Sequence, residues 1–362
     1  MFLQAAAAAL TASQTRAAAF ESRRPSLAER KFSSDAVEAK IEQVKARLTD
    51  PELAWLFENC YPNTLDTTVR YGTLDGKPDT FVITGDIDAM RLRDSTAQVW
   101  PYLPLAREDQ KLRNLLAGVV NRQTRCVLID PYANAFNFGP TGSEWSHDHT
   151  RMKPELHERK WEIDSLCYTV RLAHGYWKAT GDTSCFDKNW QAAAALIVQT
   201  FREQQRKQNR GPYTFQRTTA NPNDSLPQGG YGNPTRPCGL IHSAFRPSDD
   251  ACIFPFLIPS NLFAVTALDQ LGEIHAGEGV FGLRRAFQLA GARTVIMSLW
   301  QVDDNSTRLW MQELYRARFL RGTATSEAVR TATLSVLAYR RAAHLSTHPL
   351  YWAGFLAAGE WR

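Results

Sequence analysis

A chain of 362 residues, 44% apolar and 22% charged, has the make-up of an ordinary globular protein and the length for two domains. Its net charge of +5 is scattered, and the densest basic spots, Arg23-Arg24 and Arg202 to Lys207, carry no interleaved aromatics, which argues against nucleic acid as a partner. No apolar run reaches the roughly 18 residues of a membrane span, and the six cysteines show no Cys-x-x-Cys or Cys/His spacing, so no metal site or cofactor is expected and the thiols read as buried and free.

Residues 1–34 read as a leader and linker. Phe2 to Leu10 resembles the apolar core of an export signal, followed by small residues up to Ala12, but without the positive charge that should precede it. Export is therefore expected of the parent protein, and this chain could equally stay in the cytoplasm. From Asp35 the apolar residues Val37, Ile41, Val44 and Leu48 recur at helical spacing, and Pro51 restarts the chain. Val69 to Leu74 and Thr80 to Ile83, around Asp75-Gly76, predict a hairpin.

Long helices are expected next: Glu108 to about Val127, His157 to Thr180, Thr183 to Lys207, and one capped by Ser260. Long loops rich in Gly, Pro and Asn separate them, Asp130 to Met152 and Asn209 to His242, and loops of this length in a compact domain usually carry function. Helical hairpins joined by decorated loops suggest an α/α toroid. The tail differs in kind. Glu278 to Gly291 reads as a short helix and Arg293 to Trp300 as a strand. Ser306 to Phe319, capped by Asp303-Asp304, and a helix from Thr325 or Ser326 to Arg341 follow, and His348 to Leu356 reads as a last strand. This is an α/β order, and the shift in composition puts a boundary near Gly272 to Gly277. The expected fold is mostly α, a partial (α/α)6 toroid over 35–273, with a small α/β segment over 274–362.

Four blocks carry the chemistry. Asp86-Ile-Asp-Ala-Met-Arg-Leu-Arg-Asp-Ser95 sets acids against arginines, and Arg93 and Asp94 could hold vicinal hydroxyls, one donating and the other accepting. In Asp130 to Asn137, Asn134 suits a sugar hydroxyl and Tyr132 or Phe136 a ring face. Glu158-Arg-Lys-Trp-Glu-Ile-Asp164 stacks acids on what reads as a helix start, with Glu158 and Glu162 on one face. His242 to Ala251 combines an imidazole, a guanidinium and two adjacent carboxylates ahead of the apolar run Cys252 to Ile258. Desolvation there raises a carboxyl pKa, which suits a general acid. Helix capping by Asp249 and Asp250, or pairing with Arg246, is the structural alternative.

These blocks, in this order, resemble glycoside hydrolase family 125, the exo-acting α-1,6-mannosidases, over about Ala36 to Glu273; Gly175 to Gly181 and Gly211 to Phe215 add to the match. The resemblance implies an (α/α)6 toroid and metal-independent, inverting hydrolysis of terminal mannose from an oligosaccharide. It implies an Asp general acid at Asp249 or Asp250, and sugar-binding roles for Arg93, Asp94, Asn134, Glu162, Asp164, His242 and Arg246. Arg91 departs from the pattern, standing where Trp is expected. In an inverting site the acid and base carboxyls lie roughly 6.5–9.5 Å apart to admit a water. The family's base lies beyond the matched segment, so turnover is expected to be impaired.

Gly277 to Phe287, Ala290 to Asp304 and His348 to Trp352 resemble the end of a CHAT domain, a caspase-like module, over about Gly272 to Glu360. That family's His and Cys dyad lies upstream of this stretch, and no Cys follows Cys252, so no peptidase activity is expected. The alternatives to a mannosidase are thus a non-catalytic mannoside-binding or relic fusion protein, then a peptidase-like module. A toroid lacking its closing hairpins would also leave apolar helix faces open to self-association.

Overall fold

The computed structural model describes residues 20–289, 294–298 and 302–359. The signal-like stretch Phe2 to Ala12 lies outside them. No helix among the described residues is long and apolar enough to cross a membrane. The fold is mostly α, and the chain divides into two compact units, Met1–Leu271 and Gly272–Arg362.

The first unit begins with α1 (Asp35–Lys45) and α2 (Pro51–Cys60). Ser34 caps α1 by accepting from Val37 N, and Asp50 caps α2 with proline at its first turn, where no N–H is needed. Strands β1 (Val69–Leu74) and β2 (Lys77–Val82) form the predicted hairpin, with Asp75 and Gly76 both at positive φ in the turn. Helix α3 (Leu92–Val99) follows the two-residue strand β3 (Met90–Arg91). Helix α4 (Gln110–Ile129) is nearly all buried along one side and packs on β2, where Gly118 allows Thr80 to approach and donate to Leu115 O at 2.8 Å. Strands β4 (Ala135–Phe136) and β5 (Leu156–Glu158) precede α5 (Ile163–Thr180), which stops at Gly181 in the left-handed conformation, and α6 (Lys188–Gln204) follows.

Three expectations change. The helix expected from His157 starts only at Ile163: residues 156–158 are a strand, and Glu162 is the extended N-cap. Hydrogen bonding to β4 and to Asn134 captures this segment for the sheet. Ser260 does not cap a helix but lies in the first turn of α7 (Ile258–Leu289), which also absorbs the short helix expected from Glu278. The aromatic pair Tyr132 and Phe136 is core, not a sugar platform: Tyr132 stacks on Tyr213 at 5.2 Å and meets Trp161 edge-on at 5.3 Å. The buried core joins α4, α5, α6 and the loops around Tyr213, Phe215 and Phe245.

The second unit contains β6 (Thr294–Ser298), α8 (Asp304–Tyr315), α9 (Thr325–Ala342) and β7 (Phe355–Gly359), in the strand–helix–helix–strand order predicted. The two strands pair antiparallel, Thr294 with Gly359 through Ser298 with Phe355. Asp303 caps α8, as expected, whereas the N-cap of α9 is Ala324 with no side-chain hydrogen bond, so neither Thr325 nor Ser326 fills that role. Trp310 anchors this core, stacked on Phe355 at 4.1 Å and donating to Thr333 Oγ1 at 3.1 Å.

Candidate functional site

A sheet of only seven residues assembles the site. Strand β3 pairs with β4, Met90 against Phe136, and β4 pairs with β5, Ala135 against Glu158. Three of the four blocks singled out in the sequence are thereby laid side by side. The fourth joins through Phe245 N, which donates to Trp161 O at 3.0 Å, and Trp161 Nε1, which donates to His242 O at 2.8 Å.

Arg93, on the first turn of α3, is the centre. Its Nη1 lies 3.0 Å from Glu162 Oε2 and 3.4 Å from Asp164 Oδ2; its Nε lies 3.4 Å from Asp94, and its Nη2 is 3.8 Å from Asp249 Oδ1. Arg91 adds a second guanidinium, with Nη1 2.9 Å from Asp249 Oδ2. Glu162 and Asp164 are almost wholly buried, while Asp94 is half-exposed. Burial, then the charge of Asp164 and the facing Asp249, hold the Glu162 carboxyl well above the usual range. Burial likewise raises Asp164, against the pull of Arg93.

Asp249 and Asp250 lie side by side in a tight hairpin that gives them different partners. Phe245 bridges Ala251, Arg246 N donates to Asp250 O and Asp249 N to Arg246 O, both at 2.8 Å. Asp249 has φ +62°, in the left-handed region that few residues other than Gly, Asn and Asp tolerate. That torsion directs Asp249 toward Arg91 and Arg93. Asp250 faces away, pairing with Arg246 at 2.9 Å and accepting from Ser248.

The remaining candidates fall elsewhere. Glu158 and Glu162 do not share a helix face, because both precede α5 and serve different networks. Glu158 accepts from Asn134 Nδ2 at 3.0 Å and lies 3.0 Å from Arg217 and 3.4 Å from Lys160. Burial opposes its ionisation, but Lys160, Asn134 and Arg217 together hold its carboxyl below the usual range. Asn134 is buried and also accepts from Lys160 N, so it braces β4 against the chain before α5. His242 is fully buried beside Gly232. Burial and the nearby Arg206 push its imidazole down to about 3, so it is neutral there.

Lys160 was not among the sequence candidates, although it lies inside a block that was. Its ammonium bridges Asp224 at 2.9 Å and Asp249 O at 2.9 Å, pinning the hairpin to the segment that follows β5. Arg217 and Asp148, a buried bidentate pair, come from the long loops with no local signal. Among the described residues no group of acidic, His and Cys side chains is placed to hold a metal ion.

Residues 50–292 match the family model for metal-independent α-mannosidases (GH125), and residues 266–360 match the CHAT domain model. The chain is 40% identical over 274 residues to Meiotically up-regulated gene 157 protein of Schizosaccharomyces pombe, covering 71% of this chain and 54% of that protein. It is 28% identical over 110 residues to human Tetratricopeptide repeat protein 28, covering 30% of this chain and 4% of that one. Among solved structures, a metal-independent α-mannosidase of Streptococcus pneumoniae, in a non-productive complex with α-1,6-mannobiose, matches with TM-score 0.64 and 45% identity, covering 68% of this chain and 57% of that one. The chain thus spans about half the length of the relatives it matches over its first unit. The matched family model takes in all four blocks and most of the chain, which therefore belongs to the GH125 family of metal-independent α-mannosidases.

Proposed function

We propose that the cluster around Arg93 receives a terminal α-mannoside, α-1,6-linked, and that this chain holds it with little or no hydrolysis. The observation that carries the reading is a set of buried acceptors. Glu162 Oε1, Asp164 Oδ1 and Asp249 Oδ1 receive no hydrogen bond from any N–H or from any Ser, Thr or Tyr hydroxyl of the protein, although the raised Glu162 carboxyl faces Asp249 and can donate to it, and Arg93 supplies donors among them. Buried acceptors left unmet cost free energy, and a polyol offers the hydroxyl donors to meet them. The α-1,6-mannobiose bound by the Streptococcus pneumoniae relative supplies the ligand class.

In this reading Asp249 is the residue in place to protonate a glycosidic oxygen, with Asp94, Arg93, Glu162 and Asp164 gripping hydroxyls. Asp250 and Arg246 pair at the rim, and His242 and Asn134 support the site from beneath. Inversion also requires an ionised carboxylate to deprotonate water. Glu162 and Asp164 do not suit that task, since both share Arg93 and both are raised. The division into a mannoside-binding unit and a CHAT-like tail belongs to the same reading, as does self-association through exposed apolar residues.

Titration calorimetry with α-1,6-mannobiose, together with an assay for released mannose, tests this. Binding is expected for the full chain and lost in Arg93→Ala. Failure of the unaltered chain to bind would sink the reading. Mannose release at an ordinary enzymatic rate, about 1 per second or faster, would sink its second half.

A further inference from the structure

We infer that Arg91 is a positioning residue that clamps Asp249 through a single oxygen, fixing which oxygen of that side chain faces the pocket. The inference rests on the mannoside reading only for the identity of the ligand. Arg91 is anchored on both sides of its Cα. Its backbone pairs with Ala135 in the small sheet, its N–H donates to Thr84 Oγ1 at 3.0 Å, and it is the residue from which α3 starts. The guanidinium is therefore launched from a fixed point. Its partner is fixed as well, because Asp249 sits on a hairpin whose carbonyl is held by Lys160 at 2.9 Å.

The geometry divides the two carboxylate oxygens of Asp249. Oδ2 is taken by Arg91 at 2.9 Å, while Oδ1 stands 3.8 Å from Arg93 Nη2 and accepts no N–H of the protein; the Glu162 carboxyl faces the same side chain. Without Arg91, rotation about the last side-chain bond would let either oxygen face the pocket, since that torsion is broad. With it, one oxygen points at the ligand and the other cannot. A charge-assisted contact of this kind is stronger and more directional than a neutral one. Arg91 need not touch the sugar to set the affinity.

A double-mutant cycle on the full chain reads this directly. Asp249→Asn keeps a residue type that tolerates the left-handed backbone, so the hairpin is retained. With α-1,6-mannobiose as probe, Arg91→Leu is expected to weaken binding about tenfold, a loss of about 1.4 kcal/mol. Arg91→Lys should recover most of it, and Arg91→Leu combined with Asp249→Asn should bind no worse than Asp249→Asn alone. Losses that multiply, or a lysine variant as weak as leucine, would overturn the clamp. The same proteins melted without sugar measure the pair by itself. If no protein binds mannobiose, the mannoside reading fails, while non-additive melting shifts still support the clamp and additive shifts reject it.

Discussion

Arg93 Nη1 sits 3.0 Å from Glu162 Oε2 although the two residues are 69 positions apart in the chain. The contact joins α3 to the N-cap of α5 and sets one guanidinium between two buried carboxylates. Removing Arg93 leaves those carboxylates without a counter-charge. Arg93→Ala is expected to lower stability by about 3 kcal/mol, with mannobiose binding lost. Denaturant unfolding followed by tryptophan fluorescence measures the first, and calorimetry the second.

The raised carboxyl of Glu162 gives stability a pH dependence of known sign. Its folded-state value lies above the unfolded one, so the folded chain binds the extra proton. The associated stability is full below the unfolded carboxyl value, about 4.3, and is lost as pH rises through the folded value. Glu162→Gln removes this titration. The variant should therefore gain melting temperature relative to the unaltered chain between pH 4.5 and pH 8, values spanning roughly the range where carboxyls of this kind titrate. A difference that stays constant over that range would contradict the assignment.

Gly118 is a packing requirement. A Cβ there would stand 2.9 Å from Thr80 N and 3.0 Å from Asp79 C, backbone atoms of a paired strand that cannot turn aside. Gly118→Ala is expected to cost about 1–3 kcal/mol, despite alanine's better helix propensity, and to lower the melting temperature by calorimetry.

In the second unit, Trp310 is buried against Phe355 and its indole N–H is satisfied by Thr333. Trp310→Ala should destabilise that unit by about 3–5 kcal/mol. Hydrogen exchange at the α8 and α9 amides is the readout, and the expected result is faster exchange there.

Ile258, Leu262, Val265 and Leu268 recur at helical spacing on α7 and are all exposed, as is Phe254 just before it. This stripe is the surface through which the proposed self-association would run. Leu262→Glu with Val265→Glu should shift light-scattering mass downward toward that of one chain; an unchanged mass would mean the stripe does not drive association.

The helical periodicities were legible because burial falls on one face, as at Leu112, Leu115, Leu116 and Val119 of α4. The hairpin was legible from Asp75-Gly76. The segment from His157 to Glu162 was not, because its apolar and charged spacing also fits a helix and only pairing with β4 makes it extended. The acids of the site were legible as types but not as partners. Nothing local in the sequence separates Asp249 from Asp250, or announces that Arg91 would meet an aspartate far along the chain. Arg217 and Asp148 carried no signal, since their pairing depends on how two long loops fold over one another.

The torsion at Asp249 has a consequence for how such a site can change. Two identical side chains stand next to each other, and a single left-handed residue decides which one looks inward. The hairpin thus works as a selector, and its setting depends on loop length as well as on a residue that tolerates the left-handed region. Inserting or deleting one residue between Arg246 and Asp249 would present a different neighbour to the two arginines without altering any acid in the sequence.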